Sequence, residues 1–456
     1  GINLRHTMIK WICKPNSHLI KKEAITLKSK NLKRALSVTL ALAITAGVTT
    51  PALVARAGDT LPYLGESAKG ENQPYQHGYR GEDLVDWSPE TDPYSELLRG
   101  QVPLQDRNEA FAATQAYPDL NPETEYFTLT GDYGNAFFDS YPYTNEFSQH
   151  LFNFWQYADY YASWHGMPTS EVPERLYDAE GERNGTSTWE QRYFEFGLIN
   201  LPNPGYTNAA HKNGVLSLGC IFQPRAYQHY DVMLEKDENG RFPVADKLVE
   251  ICEYYGFDGW FINMEGRSIS SENQKLLQDF FAQMREDGLY IQWYTASSSF
   301  NSGTAAYLTS ATPDNLENPV RRAESVFLDY GWSNSSANTA QQYGLDPLKA
   351  VFGGVEAGRD RWRCDTSYFD RAQDSNGNML LSIASLGTDF VQTGLNDDTG
   401  IHMAQEKDEY QWMAFQRERL WWTGGNSQDG PNAGVTGDDI GSSNMTFKGV
   451  SNIITE

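Results

Sequence analysis

Short apolar segments alternate with amphipathic segments through most of the chain, and this order constrains the fold more than any other feature. From about residue 147, apolar or aromatic runs recur, and stretches with apolar residues at helical spacing lie between them. Several of these stretches end in Gly, which is common just after the last turn of a helix. Buried strands that alternate with helices indicate an α/β fold with a parallel sheet, because parallel strands need a long crossover connection.

The number of predicted strands favours a closed barrel. The apolar runs predict strands at 160–164, 215–222, 257–265, 289–295, 325–332, 350–355, 381–384 and 420–422. Eight such strands within roughly 280 residues fit a (β/α)8 TIM barrel, which places catalytic residues at the carboxyl ends of its strands. An open, doubly wound sheet is the alternative. No GxGxxG segment follows the first predicted strand, so a nucleotide-binding sheet would lack its usual fingerprint.

The sequence divides into four parts around this predicted barrel. Residues 146–430 form the predicted catalytic barrel. Residues 58–145 are rich in Gly, Pro, Asp and Tyr without sustained periodicity, which predicts an irregular amino-terminal extension. Residues 431–456 are first rich in Gly, Asn and Ser and then apolar, which is typical of the start of a further, β-rich domain. Residues 1–57 have the features of a leader segment.

The leader is predicted from a basic segment that precedes an apolar one. Lys33 and Arg34 lie just before the apolar run 35–54, and the segment then ends on Ala-Arg-Ala, a small-x-small cleavage site. We therefore expect a signal peptide, a mature chain that starts near Gly58, and a secreted or cell-surface protein without stable membrane insertion after cleavage. An uncleaved membrane anchor is the alternative, since the run is nearly long enough to span a bilayer core of ~30 Å.

Charge and cysteine content limit the partners. The formal net charge is −24, and the predicted leader contains ten Lys or Arg but only one Glu, so the remaining chain is more acidic still. Such a surface repels nucleic acid and suits a neutral ligand better than a polyanion. Cys220, Cys252 and Cys364 remain after the leader, and they show no CxxC or other metal-binding spacing. We expect no nucleic-acid partner, no metal, no cofactor and at most one disulfide.

An amide and a carboxyl group lie two residues apart in the predicted strand 257–265. Because side chains alternate along a strand, Asn263 and Glu265 should face the same side, at the mouth of the barrel. Glycosidases usually cleave with two carboxyl groups. An amide cannot form a glycosyl ester, but the acetamido group of an N-acetylated sugar can attack its own anomeric carbon and form an oxazoline. Asn263 would then hold the acetamide N–H while Glu265 acts as general acid and later as base. The alternative is an Asn263 that caps the strand and a Glu265 that pairs with an Arg.

Four segments resemble the endo-β-N-acetylglucosaminidases of glycoside hydrolase family 85. They are 155–159 (WQYAD), 208–215 (NAAHKNGV), 257–265 (FDGWFINME) and 293–294 (WY), and the resemblance covers about 150–425 in the family's order. It implies cleavage of the β-1,4 bond between the two core GlcNAc residues of N-linked glycans, with retention and substrate assistance. N-glycans or glycoproteins would be the partners. Asn263 and Glu265 match the catalytic pair, and Tyr294 matches the tyrosine beside the intermediate.

The resemblance also implies a set of substrate-binding residues: Trp332, Trp164, Asn208, Glu356 and Trp293. Trp332 matches a ring that stacks on sugar, and Glu356 matches an acidic residue that contacts hydroxyls. Packing at the barrel rim is the alternative for Trp332, and an ion pair with Arg359 is the alternative for Glu356. Asn208 could instead cap a helix, and the neighbouring His211 is expected to make a structural hydrogen bond.

Two departures from the family pattern limit what the resemblance implies. The family usually continues from Trp-Tyr with Asp-Ser-Met, whereas this chain has Thr295, Ala296 and Ser297. A Glu-Trp pair is common after the second strand, where this chain has Gln223 and Pro224. The preferred class of glycan is therefore not carried over from the family.

Two other functions are weighed against the endoglycosidase. A non-catalytic, glycan-binding barrel would not need both Asn263 and Glu265, and both are present. A chitinase-like hydrolase would also use substrate assistance, but such enzymes place Asp at the position of Asn263.

Overall fold

The computed structural model describes residues 78–79, 81–92, 95–96, 98–107, 123–130, 152–163, 199–202, 204–223, 230–264, 269–357, 367–387, 408–423 and 450. The strands are β1 (Gly78–Tyr79), β2 (Tyr126–Thr130), β3 (Tyr160–Ser163), β4 (Ile199–Asn200), β5 (Leu216–Gln223), β6 (Gly259–Met264), β7 (Tyr290–Tyr294), β8 (Ser325–Leu328), β9 (Val351–Glu356) and β10 (Ser382–Leu386). The helices are α1 (Gly81–Val85), α2 (Pro204–Lys212), α3 (Tyr230–Met233), α4 (Pro243–Tyr255), α5 (Ser271–Glu286), α6 (Ser302–Ala305), α7 (Ser335–Gln342), α8 (Pro347–Ala350), α9 (Ser367–Arg371) and α10 (Asp408–Thr423), with a 3₁₀ turn at Trp155–Tyr157.

Eight parallel strands close into a barrel. In order around the barrel they are β2, β3, β5, β6, β7, β8, β9 and β10, and β10 pairs with β2 to complete the ring. The two short strands β1 and β4 form an antiparallel pair, and β4 lies antiparallel to β5. The predicted (β/α)8 barrel is confirmed.

One of the eight predicted strands is wrong, and the structure supplies a different one. Residues 420–422 lie in the last turns of helix α10, because a short, fully buried apolar run is compatible with either a strand or a helix. The missing barrel strand is β2, which lies inside the predicted extension 58–145. The barrel therefore begins before residue 146, its predicted start. At the other end of the chain, Val450 is buried in the main hydrophobic core, while the remaining residues of 431–456 lie outside the described residues.

Side chains of the barrel strands alternate between the lumen and the helix layer. The lumen contains a separate cluster of buried apolar residues: Phe127, Leu129, Ala162, Leu218, Cys220, Phe222, Phe261, Phe327, Phe352, Ala384 and Leu386. The intervening positions, such as Trp260 and Ile262, belong to the larger core between strands and helices. Because side chains two residues apart share a face, this division shows where each candidate site residue points.

The helices form for local reasons that the sequence shows. Helix α4 has Pro243 in its first turn and apolar residues at helical spacing, and it ends at Gly256 in the left-handed conformation. Helix α5 begins after Ser270, whose side chain accepts a hydrogen bond from the Asn273 N–H. Among the helices of the described residues, none combines the length and apolar character that crossing a bilayer requires.

A polar layer fills the amino-terminal end of the lumen. The rings of Tyr160 and Tyr290 stack with their centroids 4.5 Å apart. The Tyr160 hydroxyl donates to Glu125 at 3.0 Å, and the Tyr290 hydroxyl bonds to Ser325 at 2.7 Å. Burial raises the pKa of the Glu125 carboxyl, and the Lys349 ammonium 2.7 Å away opposes that shift. This layer closes the lumen below the apolar cluster, so ligand access is expected from the opposite, carboxyl-terminal mouth.

Candidate active site

Asn263 lies at the carboxyl-terminal mouth of the barrel. It is the fifth of the six residues of β6, every one of which is buried, and it shares its face of the strand with the lumen residue Phe261. Its side chain is only 3% exposed. Glu265 lies outside the described residues, and strand alternation predicts that it continues the same face.

Tyr294 is the direct neighbour of Asn263 around the barrel. The two residues are register partners on the parallel strands β6 and β7, which puts their backbones about 5 Å apart. The Tyr294 ring packs in the lumen against Phe327, with centroids 5.4 Å apart and planes nearly perpendicular. The resemblance placed Asn263 and Tyr294 in one site, and the barrel brings them to the same mouth.

Asp329 belongs to this mouth and was missed by the sequence reasoning. It follows the end of β8 and has the same parity as Ser325 and Phe327, of which Phe327 faces the lumen. Its Oδ1 accepts a hydrogen bond from the Tyr294 hydroxyl at 3.5 Å. The signal in the sequence was an acidic residue directly after a buried strand, which in a barrel is a position at the active-site face.

The loop after β7 is tied to the loop after β8. The Asp329 N–H donates to the Ser297 carbonyl at 2.8 Å. Between Tyr294 and Ser297, the exposed residue Ala296 has φ 57°, in the left-handed region that residues with a Cβ atom rarely adopt. This is the segment in which the chain departs from the family's Asp-Ser-Met.

Glu356 is the last residue of β9, and it has the same parity as the lumen residue Phe352. It is paired in register with Leu386 of β10, and its side chain is partly buried. The position agrees with a residue at the rim of the mouth, and its contact with sugar hydroxyls stays a prediction. Arg359, the predicted ion-pair partner, and Trp164, a predicted sugar-stacking residue, lie outside the described residues.

Trp332 does not present a ring to the mouth, so the structure gives no support to its predicted stacking on sugar. The side chain is 1% exposed and belongs to the core outside the lumen. Its indole N–H donates to the Gly354 carbonyl at 2.8 Å, and the Arg371 guanidinium lies 5.0 Å from the ring centroid. The ring fits so closely over Gly353 that a Cβ atom there would lie 2.4 Å from it. The alternative of packing at the barrel rim is the one that the structure supports.

Trp293 also points away from the mouth, so the structure gives no support to its prediction as a substrate-binding residue. It is 1% exposed, and its ring stacks on Tyr307 at 4.7 Å and meets the edge of Phe281 at 5.0 Å. Successive residues of a strand face opposite sides, so Trp293 faces the helices because Tyr294 faces the lumen.

Asn208 binds another part of the chain. Its side-chain oxygen accepts hydrogen bonds from the backbone N–H groups of Gln101 and Val102, at 2.7 and 2.9 Å. These two residues belong to the segment 98–107, here named the strap. Helix α2, which carries Asn208, leads into the amino end of β5, so the contact lies at the face opposite the mouth. The structure therefore gives no support to the prediction that Asn208 contacts substrate.

His211 links the same strap to Asp258 through its two ring nitrogens. Nδ1 lies 2.7 Å from the Val102 carbonyl, and Nε2 lies 2.8 Å from the Asp258 carboxylate, which also accepts the Ser217 N–H. Burial lowers the pKa of His211, but the hydrogen bond and charge of Asp258, together with the Val102 carbonyl, raise it more, so it lies above the ordinary value. Both neighbours are acceptors, so the ring fits best as an imidazolium that donates twice.

Contacts with the strap give several residues of the segment 208–215 a structural role. Gly214 has φ 71°, and a Cβ atom there would lie 2.4 Å from the Arg107 side chain of the strap. Arg107 in turn donates to the carbonyl oxygens of Ala158 and Gln156 and lies 3.5 Å from Asp159. Two of the matched segments, 155–159 and 208–215, therefore meet at the strap.

Comparison with known proteins adds a family and a fold neighbour. The cytosolic endo-beta-N-acetylglucosaminidase of Danio rerio is 29% identical over 158 residues, which are 33% of this chain and 22% of that protein. The protein of the same name from Homo sapiens is 37% identical over 75 residues, or 16% of this chain and 10% of that protein. The chain thus matches less than a third of the length of these curated relatives. The glycoside hydrolase domain of Endo-D from Streptococcus pneumoniae has the same fold, with a TM-score of 0.55 and 20% identity over 83% of this chain and 54% of that one.

The predicted secreted or cell-surface location is contradicted by these relatives. The matching proteins from Danio rerio, Mus musculus, Gallus gallus and Homo sapiens are all named as cytosolic enzymes. The basic and apolar segments of 1–57, on which the prediction of a signal peptide rested, lie outside the described residues.

The family assignment rests on most of the chain rather than on single motifs. The model of glycosyl hydrolase family 85 matches residues 134–454 and so includes the strands that carry Asn263, Tyr294 and Glu356. This chain belongs to glycosyl hydrolase family 85.

Proposed function

We propose that this protein is an endo-β-N-acetylglucosaminidase that hydrolyses the β-1,4 bond between the two core GlcNAc residues of N-linked glycans. The observation that carries the proposal is the position of Asn263, an amide where most glycosidases have a second carboxyl group, at the mouth of the barrel beside Tyr294. The names of the curated relatives support the same activity. N-glycans or glycoproteins are the proposed substrates.

The proposed mechanism uses the substrate's own acetamido group as nucleophile. Its carbonyl oxygen attacks the anomeric carbon as the bond to the departing GlcNAc breaks, and a protonated oxazoline forms that keeps the acetamide N–H. Asn263 holds the acetamide N–H, which orients the group for attack. Glu265 protonates the departing oxygen and then removes a proton from the water that opens the oxazoline. Two inversions at the same carbon retain the configuration.

Burial of Asn263 supports this role physically. A hydrogen bond made in a place from which water is largely excluded is stronger than the same bond in water. The Asn263 side chain is 3% exposed, at the end of a strand whose every residue is buried. Phe261 shares its face of β6, Tyr294 is its register partner on β7, and the two rings lie 6.4 Å apart. Tyr294 and Glu356 are proposed to contact the sugar.

The decisive experiment identifies what remains on the glycoprotein. A glycoprotein with one defined N-glycan is incubated with the purified protein, and its mass is measured by intact-protein mass spectrometry. The proposal expects loss of the glycan except for a single GlcNAc on the asparagine. Complete removal of the glycan, with conversion of Asn to Asp, would identify an amidase instead, and an unchanged mass would support a non-catalytic barrel. Chitin oligosaccharides are tested in a parallel incubation, and their hydrolysis would support the chitinase-like alternative.

A further inference from the structure

The carboxylate of Asp329 faces the hydroxyl group of Tyr294 at the mouth. The two residues come from different elements: Tyr294 ends β7, and Asp329 follows β8. Their side chains meet at 3.5 Å, with the hydroxyl as donor. Hydrogen bonds at active sites are often long without substrate and shorten in the complex, so this distance is compatible with a working contact.

The chemistry of the two groups fixes where the tyrosine proton points. A phenol has one proton to donate and lone pairs that accept, whereas an ionised carboxylate only accepts. In this hydrogen bond the Tyr294 proton points toward Asp329, and the lone pairs of the Tyr294 oxygen are acceptors. An N-acetylated sugar carries several N–H and O–H donors that match such an oxygen.

The aromatic neighbours of Tyr294 restrain its ring but not the direction of its O–H bond. Its ring contacts Phe327 at 5.4 Å and Phe261 at 6.4 Å, which restrains the plane of the ring. Neither phenylalanine can orient the O–H bond. Asp329 can orient the O–H bond, because two backbone hydrogen bonds hold Asp329 in place. Its N–H donates to the Ser297 carbonyl, and its carbonyl accepts from the backbone N–H of Trp332.

We propose that Asp329 is a positioning residue: it holds the Tyr294 proton, so that the Tyr294 oxygen accepts a hydrogen bond from an N–H or O–H donor of the N-acetylated sugar. The negative charge of Asp329 also increases the electron density on that oxygen, which strengthens the bond as positive charge develops on the sugar. This inference rests on the proposed function, since it assigns a partner to a residue of that site.

The test is a double-mutant cycle that combines Asp329→Asn with Tyr294→Phe. The asparagine side chain keeps the size of Asp329 but can donate to the Tyr294 oxygen and so reverse the bond. We expect Asp329→Asn to lower kcat by about 10- to 100-fold, the range for a hydrogen bond to a charged group, with a smaller change in KM. In the Tyr294→Phe background the same change should lower kcat by less than about 2-fold, because the hydroxyl on which it acts is gone.

The matched control is Asp314→Asn, which removes the same charge from an exposed loop position between α6 and β8. It should leave kcat and Tm unchanged. The bond between the Asp329 N–H and Ser297 belongs to the backbone and persists in every variant, so Tm of Asp329→Asn should stay within about 2 °C of wild type, as for other changes that leave the packing intact.

Two results would overturn the inference. A kcat of Asp329→Asn equal to that of wild type would show that the carboxylate does not act on the reaction. An equal loss of kcat with and without the Tyr294 hydroxyl, or a loss that follows a fall in Tm, would assign Asp329 to packing. Failure of the proposed function looks different, because wild type would then leave no single GlcNAc on the glycoprotein before any variant is compared.

Discussion

The two ends of this barrel both carry segments that match the family, yet they are built differently. At the amino-terminal face, Asn208 forms hydrogen bonds with the strap, and His211 forms hydrogen bonds with the strap and with Asp258. At the carboxyl-terminal mouth, Asn263, Tyr294 and Glu356 come from three strands and share the lumen side. The comparison teaches that a family motif can have either of two physical causes. Its residues can form a hydrogen-bond network within the protein, or they can line a site that binds a ligand.

The largest effect expected at the mouth is that of Glu265→Gln. An amide cannot supply the proton that the leaving group needs, and a general acid typically contributes about 10²- to 10⁴-fold. Hydrolysis of a defined glycopeptide, followed by mass spectrometry, should therefore fall by that factor while Tm stays near that of wild type. Near-normal turnover in a folded Glu265→Gln protein would remove Glu265 from the mechanism.

Replacement of Asn263 separates the steps of the proposed reaction. Asn263→Ala should lower hydrolysis of the natural glycan by about 10²-fold, the cost of losing one preorganised hydrogen-bonding group. A synthetic sugar oxazoline does not need the ring-closing step in which Asn263 acts. The rate of its transfer to a GlcNAc acceptor should therefore fall much less than the rate of hydrolysis. Both rates are measured on one preparation by chromatography of the products.

A parallel loss of both reactions would contradict that role. It would mean that Asn263 only maintains the end of β6 and that its loss misplaces Glu265. Tm provides the control: a shifted strand end should lower Tm as well, since every residue of β6 is buried.

The sequence predicted some strands of the barrel better than others. The run 257–265 is apolar enough to indicate a buried strand, and alternation then places Asn263 in the lumen. The same rule, applied to 293–294, would have placed Trp293 among the helices. The short strand β2 was missed because five residues between Gly- and Pro-rich segments carry too little periodicity.

Other features depend on tertiary contacts that no local pattern contains. Residues 420–422 are apolar and short, and only their packing against the barrel decides that they are helical. Trp332 is buried because Gly353 leaves room for its ring, and this fit joins two distant segments. Likewise, nothing near Asp329 in the sequence indicates its contact with Tyr294, which depends on the order of strands around the barrel.

At the amino-terminal face, the expected effect is on stability. His211→Ala removes the donors to Val102 and Asp258 and leaves two partly buried acceptors without them, and the total loss should be about 1–3 kcal/mol because water reaches both groups in part. The free energy of unfolding, measured with urea, should fall accordingly, while kcat per folded molecule should remain near that of wild type. Lys212→Ala, in the same segment but exposed, is the matched control and should change stability by less than about 0.5 kcal/mol.

The dependence of this loss on pH identifies its cause. The pKa of His211 is raised in the folded protein, so its contribution to stability is fully present below the unfolded value of about 6.5 and is lost as pH rises through the folded value. The difference between wild type and His211→Ala should therefore be larger at pH 6 than at pH 9. A difference that grows with pH would show that the neutral ring makes these contacts.

The smallest expected effect concerns the strained residue beside the mouth. Ala296 adopts φ 57°, a conformation that costs a residue with a Cβ atom roughly 1–2 kcal/mol, and its side chain is exposed, so Ala296→Gly loses no packing. Glycine also gains entropy in the unfolded chain, which opposes the gain by about 0.4–1 kcal/mol. The net expectation is an increase in the free energy of unfolding of about 0.5 kcal/mol, measured by urea titration.

Asn318→Gly is the matched control: Asn318 has φ 48° on an exposed loop, but asparagine tolerates this region, so the same change should give no gain. If Ala296→Gly stabilises the protein and also lowers kcat, the strain holds the loop of Ser297 against Asp329 for the reaction. If both glycine variants change the free energy of unfolding equally, the backbone at Ala296 carries no more strain than an asparagine in the same region.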